Sequence, residues 1–121
     1  MQFINVSTNT ITNDNSINND YESAKSFGKV QVGNLGIYYK EGFKTRYIPY
    51  IDSSQAFIRV QEVNGRMCCA TAKFAYFKLI FIVNSREIMA EMTENEKEIF
   101  ACLDEIKIHA PKNLEIGYKK Q

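Results

Sequence analysis

The chain has 121 residues, 45% of them hydrophobic and 24% charged, with a formal net charge of +1. That is the composition of one ordinary globular domain, long enough to bury roughly two-thirds of its unfolded surface in a single core. A charge balance so close to zero argues against nucleic acid, whose binders carry enough basic excess to neutralise several phosphates, and the longest apolar run, Leu79–Val83, is too short to span a membrane.

Residues 1–24 differ from the rest of the chain: Asn, Ser and Thr dominate, with six Asn among the first twenty positions. They read as an N-terminal extension attached to a domain over 25–121. Within the extension, Gln2–Val6 alternates polar and apolar residues as a half-buried strand does. Such a strand is expected to pair with the edge of its own sheet or with a neighbouring molecule, the latter giving a homodimer through residues 1–24. No Lys or Arg precedes Lys25 and no apolar block follows Met1, although a secretory leader needs both, so a cytoplasmic protein is expected. Its three cysteines, Cys68, Cys69 and Cys102, have no framework spacing and read as reduced thiols.

From Phe27 the turn signals recur at short intervals. Gly33-Asn34 separates Lys29–Val32 from Leu35–Lys40, Glu41-Gly42 precedes Thr45–Ile51, and Asp52-Ser53-Ser54 precedes Gln55–Val63. Asn64-Gly65 is the strongest hairpin signal, because both residues tolerate the positive φ of a type I′ turn. It leads into Arg66–Thr71. A long strand, Phe74–Val83, then turns at Asn84-Ser85 into Glu87–Met92, which makes seven strands. Thr93 and Glu96 fit a capping box that starts a helix. Ile99, Leu103, Ile106 and Ala110 share one face of it, flanked by Phe100 and Cys102, and Ile108 falls off the stripe, so the helix is expected to end before Pro111. Leu114–Tyr118 reads as an extended piece that packs back on the domain.

A mostly β chain of seven antiparallel strands in two near-orthogonal sheets, capped by a C-terminal amphipathic helix, resembles the pleckstrin-homology-like barrel over residues 26–109. Gly36–Tyr39, Ile48–Tyr50, Cys68-Cys69 and Ile116–Tyr118 are similar to stretches of small bacterial proteins of that fold, which bring no established activity with them. The resemblance implies a binding module and not an enzyme. Phosphoinositide-binding members of the family place a Lys near the end of strand one and a basic pair on strand two. Here Lys29 matches the first, but Gly36–Lys40 has no such pair. Peptide-binding members add a ligand strand to strand five and rest its side chains on the helix, which would bring Cys68 and Cys69 to a groove beside Cys102 or Phe100.

The residues set aside several chemistries. Cys102 and His109 lie seven apart on one helix, about 10 Å along the axis, too far for the direct hydrogen bond that activates a thiolate. The Cys and His residues lack the paired short spacings of a zinc site, and the six glycines are scattered singly and form no phosphate cradle. No cofactor and no metal is expected. What remains is a binding surface: Lys29, Lys40, Lys44 and Arg46 with Tyr38, in a stretch that also holds Tyr39, Phe43, Tyr47 and Tyr50. Aromatics interleaved with lysines also suit single-stranded nucleic acid, but in a β domain they serve first as core and cross-strand pairs. The expected partner is a protein or peptide, taken at a sheet edge or across the Tyr38–Tyr50 face. The alternative is an anionic membrane surface met by the basic cluster.

Overall fold

A computed structural model describes residues 2–67 and 70–120, and the side chains of all of these except 62–74 and 118–120. In chain order, β1 (Phe3–Asn5) and β2 (Thr10–Thr12) form a hairpin, and helix α1 (Asn15–Ser23) comes after it. A meander of β3 (Lys25–Phe27), β4 (Val30–Val32), β5 (Gly36–Glu41) and β6 (Lys44–Pro49) is next, closed by a 3-10 turn at Tyr50–Asp52. A second meander of β7 (Ser53–Met67), β8 (Ala70–Val83) and β9 (Arg86–Thr93) precedes helix α2 (Glu96–His109), and β10 (Glu115–Lys120) ends the chain. Two sheets result, one ordered β2-β1-β6-β5-β4-β3 and the other β10-β7-β8-β9.

The main core lies between the sheets and under α2. Ile37 and Ile48 from the first sheet meet Ile58, Leu79 and Phe81 from the second, and α2 contributes Ile99, Cys102, Leu103 and Ile106. Those four helix side chains are almost wholly buried, which is worth about 6–8 kcal/mol as an upper estimate. A smaller cluster occupies the opposite face of the six-stranded sheet, where α1 lays Ile17 and Tyr21 on Phe3, Tyr38 and Tyr47. Tyr38 and Tyr47 stack with ring centroids 5.1 Å apart, and Phe3 sits 5.3 Å from Tyr38.

Asp20 ties α1 to the sheet. Its Oδ1 accepts the Asn34 N–H at 2.7 Å, and its Oδ2 accepts the Leu35 N–H at 3.0 Å and the Tyr38 hydroxyl at 2.7 Å. Gly33 is required beside it, since a Cβ there would collide with the Asp20 carboxylate. Burial and that carboxylate push the Tyr38 phenol far above its ordinary range.

Several expectations are corrected. There are ten strands among the described residues, not seven, and the sheets do not close into a barrel. Two pairings are parallel, β1 with β6 and β10 with β7, so the N-terminal strand adds to the edge of its own sheet. The Asn-rich stretch holds a helix, started by the Asp14 carboxylate accepting the Ser16 N–H. Asn64-Gly65 does not reverse the chain. Both residues continue β7, opposite Lys73 and Ala72, and pairing runs on to Met67↔Ala70. The separate strand Arg66–Thr71 is therefore divided between β7 and β8, because a continuous ladder of backbone hydrogen bonds outweighs a local turn preference. The expected Cys68-Cys69 strand falls outside the described residues. Helix α2 is capped by Asn95, whose side chain accepts the Glu98 N–H at 3.1 Å, while Thr93 ends β9. Asn84-Ser85 turns as expected, with φ of 50° and 67° at its two residues. β10 is the expected returning segment, with Leu114 buried just before it.

Candidate functional site

The site is built around the β5–β6 turn. Glu41 pairs with Lys44, leaving only Gly42 and Phe43 to reverse the chain, and Gly42 supplies the positive φ of 65° that so short a connection needs. Phe43 is thrust into solvent, fully exposed at the tip, with Lys40 and Lys44 exposed on either side of it. Arg46 is drawn out of this basic group: its Nε lies 2.8 Å from Glu41 Oε2, a charge contact without an aligned hydrogen bond. The two charges largely cancel.

On one flank of the tip lies a hollow of about 390 Å³, lined by Lys29 of the β3–β4 turn, Tyr39, Lys40 and Glu41 of β5, and Met89–Met92 of β9. Its shape depends on an irregularity in β9, where the register against β8 shifts between Leu79↔Glu91 and Ile80↔Met89. The extra residue, Ala90, makes a bulge that turns Ala90 and Glu91 inward in succession and leaves Met89 and Met92, about half exposed, pointing outward. Glu91 is 8% exposed. Its Oε1 takes a long contact of 3.4 Å from the Lys29 N–H, and its Oε2 has no partner among the described residues. Burial raises the Glu91 pKa, and the Glu98 carboxylate raises it further. Both carboxylates press on Gly28, where a Cβ would stand 2.5 Å from Glu98 Oε1 and 2.7 Å from Glu91 Oε1. A side chain at this positive-φ turn would displace them.

A second hollow, about 310 Å³, lies on the other flank, between Phe43–Thr45 and the Phe3, Ile4 and Ile11 side of the β1–β2 hairpin. Ile11 is 67% exposed. A third, about 230 Å³, sits near the C-terminal end of α2 and holds the single histidine, with His109 Nε2 2.7 Å from Glu105 Oε2 and Lys25 beside it. Glu105 lies between the two, with its Oε1 3.9 Å from Lys25 Nζ.

The seven residues singled out from sequence are scattered over the molecule. Lys29 and Lys40 line the first hollow and Lys44 the second. Arg46 is engaged with Glu41. Tyr38 is wholly buried under α1 and bonded to Asp20, so it presents nothing to a ligand. Tyr39, Tyr47 and Tyr50 are buried too, which removes the Tyr38–Tyr50 face as a binding surface. Burial pushes Tyr39 and Tyr47 up to about 12. Phe100 packs edge-on to Phe77, 6.3 Å between centroids, and is half-buried against the core. Cys102 is buried and its thiol pushed up to about 12, chiefly by burial. The groove expected beside it is therefore filled with core. Cys68 falls outside the described residues.

Sequence reasoning missed Met89 and Met92, which share a face only because of the bulge, and Glu91 for the same reason. It also passed over Ile11 and the tip position of Phe43, although Glu41-Gly42-Phe43-Lys44 between two strands signals an exposed turn residue. Among the described residues no helix is long and apolar enough to cross a membrane, and no group of three or more His, Cys, Asp or Glu could hold a metal ion. No family model, curated protein or solved structure matches the chain.

Proposed function

We propose that this chain is a non-enzymatic binding module on a pleckstrin-homology-like core, and that it takes an extended protein segment along β9. A meander of four strands, β3–β6, then one of three, β7–β9, then a helix over the core is the element order of that fold, and it supports the reading of the core. The observation that carries the binding role is the position of β9. Among the described residues it pairs with β8 alone, and it borders the 390 Å³ hollow. An added strand takes its affinity from backbone hydrogen bonds and its selectivity from side chains set into neighbouring pockets. Met89 and Met92 suit that task, since unbranched thioether side chains adapt to varied partners. The bulge divides the edge into Arg86–Met89 and Glu91–Thr93, so pairing extends over three or four residues on each side of Ala90. Lys29 and Lys40 on the facing wall favour acidic residues in the segment.

Site-specific photocrosslinking in source cells tests this reading. A benzophenone amino acid in place of Met92 should trap a defined protein through one short segment, while the same group in place of the exposed Ile51 should not. Identical crosslinks from both positions, or none from Met92, would refute it.

A further inference from the structure

Resting on the assignment of β9 as the binding edge, we propose that Glu91 and Glu98 form a proton-operated switch that opens and closes that edge. With a proton on Glu91, its side chain stays turned inward and the edge is free to take the segment. Without the proton, Glu91 swings out into the 390 Å³ hollow and meets Lys29 and Lys40 in place of the segment's own acidic residue. The reason for a shared proton lies in the two carboxylates. A Cβ on Gly28 would stand 2.5 Å from Glu98 Oε1 and 2.7 Å from Glu91 Oε1, so these two oxygens are no more than about 5 Å apart. Glu91 is 8% exposed, and its Oε2 is shut off from solvent with no hydrogen-bond partner among the described residues. Two ionised carboxylates that close, one of them out of water, repel each other, and a single proton removes the repulsion.

The groups that face Glu91 set the direction of the movement. From the β3–β4 turn, the Lys29 N–H gives it only a long contact of 3.4 Å, and the Lys29 ammonium is a positive charge nearby. From α2 come Glu98, which opposes its ionisation, and Cys102, whose buried thiol stays neutral. β8 sets the uncharged Leu79 opposite it. β5 brings Tyr39, Lys40 and Glu41 to the hollow, and Glu41 is held by Arg46 at 2.8 Å. The inner side therefore disfavours a charge, and the outer side offers two lysines to meet one. The inward form is complete below the ordinary carboxyl pKa of 4.5 and is lost as pH rises through the higher value that burial and Glu98 give the folded protein. The bulge supplies the hinge, since the extra residue at Ala90 frees Glu91 from the strict alternation of a regular strand.

Carbon-13 NMR of the side-chain carboxyls, with Glu91 and Glu98 assigned by substitution, follows the proton in the full chain and needs no ligand. Glu91 should titrate above pH 4.5, and Glu98→Gln should lower its midpoint. Through the same transition, nuclear Overhauser contacts from the Glu91 methylenes to the Gly28 α-protons should give way to contacts with Lys40. Titration of Glu91 at or below 4.5, a midpoint that ignores Glu98→Gln, or Gly28 contacts that persist throughout would overturn the switch, whatever becomes of the binding reading. Photocrosslinking from position 92 in source-cell lysate then reads the effect on the edge. With one proton linked to the segment, the yield should fall by up to about tenfold per pH unit above the midpoint, and Glu91→Gln should hold it at its low-pH level. The same pH profile in the native sequence and in Glu91→Gln would overturn the coupling. No crosslink at any pH would remove the binding reading and the regulatory role together, while the NMR titration still decides the shared proton.

Discussion

Replacing Asp20 with Ala should be among the most damaging single changes available outside the main core. Its carboxylate accepts three hydrogen bonds of 2.7, 3.0 and 2.7 Å, two from main-chain amides in the β4–β5 turn and one from the Tyr38 hydroxyl. A bond to a charged group is worth about 1.5–3 kcal/mol, and a buried donor left without an acceptor costs about 1–3 kcal/mol. Three bonds sharing one carboxylate are not additive, and the turn amides regain water when α1 loosens. The expected loss is therefore about 3–5 kcal/mol, a large share of the roughly 5–15 kcal/mol that holds a domain together. For a chain of this length it corresponds to a fall in Tm on the order of 10–20 °C. Urea denaturation at equilibrium measures the loss directly. Tyr38→Phe removes one donor and should cost about 1–2 kcal/mol, with less than additive loss in the double variant because the two share a bond. A loss below about 1 kcal/mol for Asp20→Ala would refute the view that this carboxylate anchors residues 1–24 to the sheet.

Four further expectations concern the rest of the molecule. Tyr38, Tyr39, Tyr47 and Tyr50 all have phenol pKa values raised by burial, so the stability they confer is complete below pH 10 and is lost as pH climbs from 10 toward their folded values. At about 1.4 kcal/mol per pH unit for each group, unfolding should be steep in that window, and a flat stability profile between about pH 9.5 and 11 would contradict it. Glu91 is the opposite in consequence: its raised pKa makes the protonated form the better fit, so its contribution falls as pH rises above 4.5. Glu91→Gln should stabilise the protein more at pH 7 than at pH 4, and equal effects at both would show that the carboxylate is solvated. Cys102, with a thiol near 12, should react with iodoacetamide at pH 7.5 at least a thousandfold more slowly than in urea, as assigned by peptide mass, and fast native labelling would return catalytic cysteine chemistry to consideration. Self-association through residues 1–24 requires the β2 edge and Ile11, so a dimer mass in solution that Ile11→Asp converts to monomer would support it, and a monomer mass for both forms would exclude it.

The parts of the fold that could be read from the sequence are those fixed by local physics. Positive-φ residues marked the Asn84-Ser85 turn, and the spacing of Ile99, Leu103 and Ile106 marked the buried stripe of α2. What escaped depends on partners far along the chain. Asn15–Ser23 has poor helix formers and little periodicity, and it is helical because Asp14 caps it and Ile17, Tyr21 and Asp20 find acceptable neighbours in the sheet. Asp20 meets donors 14 to 18 residues away, which no local pattern announces. The three lysines of the candidate site were legible as charge, but the loss of Arg46 to Glu41 and the inward turn of Glu91 depend on register, and register is set by the finished sheet. Tyr38 illustrates the same limit: a tyrosine beside lysines looks like a ligand contact until the helix that covers it is known.

The binding role of β9 is best tested at its own methionines. With methyl-labelled methionine, a protein that has only four such residues gives a spectrum in which Met89 and Met92 can be assigned by substitution. Titration with a synthetic copy of the segment trapped from position 92 should shift both methyl signals saturably, and Lys29→Glu with Lys40→Glu should weaken the interaction. Methyl signals of Met89 and Met92 that stay fixed at saturating peptide would contradict the account and move the search for a partner away from this edge.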